Sequence, residues 1–69
     1  MKTVKKIGAI IIARRGLLKL TQQQLAEYSG LSRKSLHGIE TGTANPTFKQ
    51  VDKVLNVLGL EIDIKATNA

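Results

Sequence analysis

Sixty-nine residues with 11 Lys and Arg against 5 Asp and Glu give a formal net charge of +6. A chain this short is a single domain that buries only roughly 60% of its unfolded surface, so its stability margin is thin. There is no cysteine and only one histidine, which excludes disulfides, thiolate metal sites and a zinc site built from histidines.

The charge is uneven. Residues 1–26 hold Lys2, Lys5, Lys6, Arg14, Arg15 and Lys19 with no acid, and the acids are Glu27, Glu40, Asp52, Glu61 and Asp63. Excess positive charge on a small domain points to a polyanion, usually nucleic acid; the plain alternative is a solvated basic surface. The only aromatics are Tyr28 and Phe48, which argues against single-strand or RNA recognition by base stacking. The apolar run at 9–13 is far too short to span a bilayer. It is also shorter than most signal-peptide cores, is followed by Arg14 and Arg15, and has no small-residue cleavage site, so a soluble cytoplasmic protein is expected.

In chain order, Val4, Ile7, Ile10 and Ile11 recur at helical spacing and predict a first helix over 4–15. Gly8 reads as its weak point, by about 1 kcal/mol relative to alanine. Thr21 followed three residues later by Gln24 is a capping box that starts a second helix over 22–29, and Gly30 is the left-handed residue expected to end it. Ser32 caps a third helix over 33–40. The stretch "ETGTANPT" is a loop. Thr47 caps a fourth helix over 48–58, with Val51, Val54, Leu55 and Leu58 on one face and Gly59 as its stop. The period then changes: "LEIDIK" at 60–65 alternates apolar and charged residues and predicts a half-buried strand.

At about 100° per residue, Arg33, Lys34 and His37 fall within roughly 100° of one another on the third helix, and Leu36 and Ile39 lie opposite. One face packs inward while the other presents donors. With Leu25 and Ala26 on the second helix and Leu31 at the corner, this is the pattern of a helix-turn-helix, whose short second helix fits the DNA major groove. The plain alternative is a helical hairpin with a solvated basic face. No catalytic constellation is expected: there is no cysteine nucleophile, no Gly-rich phosphate loop and no paired carboxylates, and nothing suggests a cofactor or metal.

The segment "LTQQQLAEYSGLSRKSLHGIETG" at 20–42 resembles the Cro/phage-repressor-type helix-turn-helix, the XRE family, through Leu20-Thr21-Gln22, Leu25-Ala26, Gly30-Leu31, Ser32-Arg33, Ile39-Glu40 and Gly42. The ending "LGLEIDIKA" resembles HipB-type antitoxins. The resemblance implies a mainly α, compact, four- to five-helix lambda-repressor-like domain over 1–59. A short C-terminal β-strand and tail over 60–69 would dimerise it. It implies a sequence-specific double-stranded DNA-binding repressor acting as a homodimer on a palindromic operator, as the antitoxin of a HipBA-like pair with a HipA-like kinase as toxin. The alternatives are a phage or restriction-modification controller without a toxin, and a protein-interaction module with a basic face.

Residue by residue, the resemblance places Ser32, Arg33, Lys34 and His37 at base edges. It places Thr21, Gln22, Ser35, Thr41, Asn45 and Lys49 on phosphates, Gln22 also bracing the third helix. It pairs Arg15 with Glu40. The strand pattern puts Leu60, Ile62 and Ile64 on one side for self-pairing; a frayed tail, or a strand completed by another protein such as a toxin, stays open. Two departures stand out. Gly38 occupies a position that usually carries a side chain, and Lys19 stands where the family usually has glycine.

Overall fold

Four helices follow one another among the described residues, 2–66, of the computed structural model: α1 Lys2–Leu17, α2 Gln22–Ser29, α3 Arg33–Thr41 and α4 Phe48–Val57. Hydroxyl caps start the last three. Thr21 and Thr47 form full capping boxes with Gln24 and Gln50, and the Ser32 side chain accepts from Ser35 N. Each cap satisfies donors that a helix start leaves bare, worth about 1 kcal/mol apiece. α1 is longer than the 4–15 expected, because the apolar spacing marks only its buried stripe.

All four helices end alike. In each, the second residue beyond the helical turn donates its N–H back five positions: Leu20 to Arg15, Leu31 to Ala26, Thr43 to Gly38 and Leu60 to Leu55, at 2.8–3.0 Å. This is the Schellman ending, which needs a left-handed residue at the corner. Glycine supplies it at Gly30, Gly42 and Gly59, with φ between 69° and 72°, but the corner of α1 is Lys19 at φ 57°. A side chain there strains the backbone by roughly 1–2 kcal/mol. The glycine usual in the family this chain resembles is thereby explained, and the end of α1 keeps its shape without it.

Ile11, Leu25, Leu36, Val54 and Leu58 are fully buried and form the centre of the core, one from each helix and the last from the C-cap of α4. α1 packs chiefly against α3, and α2 bridges α3 and α4. The α1–α3 approach is close: a Cβ on Gly8 would lie 2.5 Å from Glu40 O and 2.6 Å from Ile39 O. Gly8 is therefore a contact point rather than the weak point its helix propensity suggests.

The expected C-terminal β-strand is absent among the described residues, whereas the four helices agree with the four to five expected. Alternation gives a segment two faces, but a strand exists only when its N–H and C=O groups meet a neighbour, and the described residues of this chain offer none. Residues 60–66 instead run as irregular chain over the helices. Leu60 and Ile62 pack against the core, whereas Ile64 remains 82% exposed. Residues 67–69 of the expected tail lie outside the described residues.

Candidate nucleic-acid interface

The outer side of α3 and its cap carry Ser32, Arg33, Lys34, Ser35 and His37, all exposed, while Leu36, Ile39 and Glu40 point inward and are buried. The two sides are joined by one string of polar contacts. Arg15, from α1, donates through Nε to Glu40 Oε2 at 2.7 Å and through Nη2 to Oε1 at 3.1 Å, and its Nη1 reaches Leu20 O at 3.1 Å. Gln22, the first residue of α2, donates through Nε2 to Glu40 Oε1 at 2.9 Å. Its Oε1 accepts from Arg33 Nε at 3.3 Å, and Nε2 also lies 3.4 Å from His37 Nδ1. The string thus runs from α1 through the buried Glu40 to the first residue of α3.

This geometry does two things. Glu40 is 5% exposed, and three charge-assisted donors satisfy its carboxylate, so burial is tolerated. Gln22 has its amide orientation set by acceptor and donor on opposite ends, so Arg33 is held rather than left to wander. No short-range signal reveals the Gln22–Glu40 contact, since the residues are 18 positions apart; the resemblance implied only that Gln22 braces α3.

The remaining hydroxyls are partly committed. Thr21 Oγ1 accepts from Gln24 N at 3.0 Å, and Ser32 Oγ both accepts from Ser35 N at 3.0 Å and donates to Ser35 Oγ at 2.9 Å. Thr41 Oγ1 donates to His37 O at 2.9 Å and is paired with Thr43 Oγ1 at 2.8 Å. Lys49 is exposed in the first turn of α4. Asn45 lies apart from the string, on the rim of an apolar groove of about 420 Å³ that also takes in Val4, Phe48, Ile62 and Ile64. No helix among the described residues is long and apolar enough to cross a membrane.

A helix-turn-helix family model matches residues 11–65. The chain belongs to the helix-turn-helix family. Members of this family are DNA-binding regulators, and the XRE-type resemblance of residues 20–42 holds at that level. The chain is 41% identical over 56 residues to the immunity repressor protein of Bacillus phage phi105, covering 81% of this chain and 39% of that protein. It is 32% identical over 60 residues to the ImmF control region 10 kDa protein of the same phage, covering 87% and 67%. The chain thus spans about two fifths of the immunity repressor's length. Among solved structures, the restriction-modification controller protein C.AhdI from Aeromonas hydrophila superposes with a TM-score of 0.81 at 30% identity, covering 88% of this chain and 92% of that one. The helix-turn-helix itself is α2, the Gly30 corner and α3.

Proposed function

We propose that this helix-turn-helix protein is a sequence-specific transcriptional repressor that lays α3 in the major groove of a palindromic operator and acts as a homodimer. The observation that carries the reading is the exposed Arg33–Lys34–His37 face, with Arg33 held by Gln22 against a buried anchor. Arg33 and Lys34 are donors suited to guanine O6 and N7. Ser35, Thr41, Asn45 and Lys49, with the N–H groups at the starts of α2 and α3, serve as phosphate contacts.

The tail's resemblance to HipB-type antitoxins supports a finer reading, an antitoxin whose toxin is a HipA-like kinase. The names of its relatives favour a second one, a phage repressor or a restriction-modification controller without a toxin. The neighbouring gene separates these two, because only the antitoxin has a toxin beside it.

Selection from random double-stranded DNA, followed by titration of variants, tests the core of the proposal. Arg33→Ala should cost about 1–3 kcal/mol on the selected site and little on random DNA. Gln22→Ala should weaken both through its lost phosphate contact, which positions without specifying, and the selected site somewhat more, because Arg33 also loses the acceptor that orients it. Equal loss on every sequence with Arg33→Ala removes the base-reading role. A protein-interaction module would select no sequence at all.

A further inference from the structure

Gly38 leaves a gap in the recognition surface, and the loop after α3 fills it. Gly38 lies one helical turn after Lys34, on the same face. A Cβ placed on it would come 2.8 Å from the Cβ of Ala44. The Ala44 methyl therefore stands where a side chain from position 38 would project. The loop is pinned there: Thr43 N and Ala44 N both donate to Gly38 O, at 3.0 and 3.1 Å. Gly42 turns the chain with φ 72° and sits so close to α1 that a Cβ would lie 2.7 Å from Lys5 Cγ. The Thr43 hydroxyl is tied to Thr41, whose own hydroxyl is tied to His37 O.

The result is a surface cavity of about 380 Å³ lined by Lys34, Ser35, His37, Gly38, Thr43 and Ala44. Its two sides differ in chemistry. Lys34 and His37 bring nitrogen donors, and Ser35 beside them a hydroxyl that accepts from Ser32. Gly38, Ala44 and Thr43 bring a bare backbone, a methyl and a hydroxyl already paired with Thr41. A phosphate needs donors converging on it, and the loop side supplies none free. A thymine edge fits both sides, because in the major groove thymine shows a 5-methyl group next to the O4 acceptor.

We propose that Ala44 and Thr43 are specificity-determining residues, forming with Gly38 and Lys34 a niche that takes the 5-methyl group of one thymine per recognition helix. The inference rests on the reading that α3 enters the major groove, and it extends base recognition to loop residues outside the helix.

The test uses the full chain and the duplex it selects from random DNA, with each thymine replaced in turn by deoxyuridine, which lacks only the methyl. Burying one methyl contributes about 0.8 kcal/mol, so replacement in one half-site should weaken binding about fourfold, and in both half-sites about fifteenfold. Ala44→Gly should bind the thymine duplex less tightly and lose the distinction between thymine and deoxyuridine at that position alone. Thr43→Ser keeps the hydroxyl pairing with Thr41 and should reduce the same distinction, which preserves the test if the glycine variant melts early. A selected site at which every thymine methyl is silent, or Ala44→Gly and Thr43→Ser proteins that still discriminate fourfold, overturns the niche and leaves major-groove reading intact. A pool that enriches no sequence overturns both.

Discussion

Replacing Gly8 by alanine should destabilise this protein, although alanine is the better helix former. In an exposed helix interior the exchange is worth about 0.8–1.0 kcal/mol in favour of alanine. Against it stands the contact with α3. The new Cβ would sit 2.5 Å from Glu40 O, 2.6 Å from Ile39 O and 2.9 Å from Glu40 C. These are backbone atoms at the end of a helix, and no rotamer change can move them aside. α1 must back away from α3, and in doing so it pulls Arg15 from Glu40, whose shortest contact is 2.7 Å. Overpacking a tight site costs about 1–3 kcal/mol, and this one belongs at the upper end because backbone meets Cβ. After crediting the propensity, a net loss of about 1–2 kcal/mol remains. In a domain this small that lowers Tm by about 5–15 °C. Gly16→Ala is the matched control: it lies in the last turn of the same helix, and a Cβ there meets nothing within 4 Å. Thermal melts followed by circular dichroism should show Gly16→Ala at or above the parent and Gly8→Ala well below it. Equal midpoints for the two variants would refute the close α1–α3 approach as the reason for glycine at position 8.

Glu40→Gln keeps the side chain's shape but removes the charge that Arg15 faces. The Arg15 side chain is 21% exposed, so the loss should fall somewhat below the roughly 3–5 kcal/mol of a wholly buried pair, at about 2–3 kcal/mol; a urea midpoint equal to the parent's would show that the pair contributes nothing. Ile64→Glu tests the homodimer without disturbing the core, since Ile64 is 82% exposed while Leu60 and Ile62 pack inward. Sedimentation should give a monomer with the parent's helix content and weaker binding to a palindromic site, and a dimer that survives the charge would move the seam away from Ile64 and the adjoining groove.

What could be read from the chain alone was what depends on near neighbours. The boxes at Thr21–Gln24, the cap at Ser32 and the corner at Gly30 are interactions across a few residues, and each leaves a residue-type signature at fixed spacing. The inward and outward sides of α3 followed from the same short-range rule. What could not be read involves partners far apart or absent. Gly8 looks like a flaw until the carbonyls of residues 39 and 40 come within reach, and glycine is silent about which contact it permits. "LEIDIK" has the alternation of a strand, yet alternation describes side chains, whereas a strand is made by backbone partners, and none lies among the described residues. Gly38 marked a missing side chain, and only the folded loop shows that Ala44 occupies its place.

The polar string also constrains how any variant of the interface is interpreted. Glu40 Oε1 accepts from both Arg15 and Gln22, and Gln22 in turn accepts from Arg33. A change at Glu40 therefore acts on stability, through Arg15, and on the proposed readout, through the orientation of the Gln22 amide. Residues sharing one hydrogen-bond network couple by about 0.5–3 kcal/mol, so their effects do not add. Weaker DNA binding by Glu40→Gln has two sources: a larger unfolded fraction, which lowers affinity for every sequence alike, and a freed Arg33, which lowers it chiefly on the selected site. The ratio of specific to non-specific affinity separates them, because unfolding cancels from that ratio and misplacement of Arg33 does not.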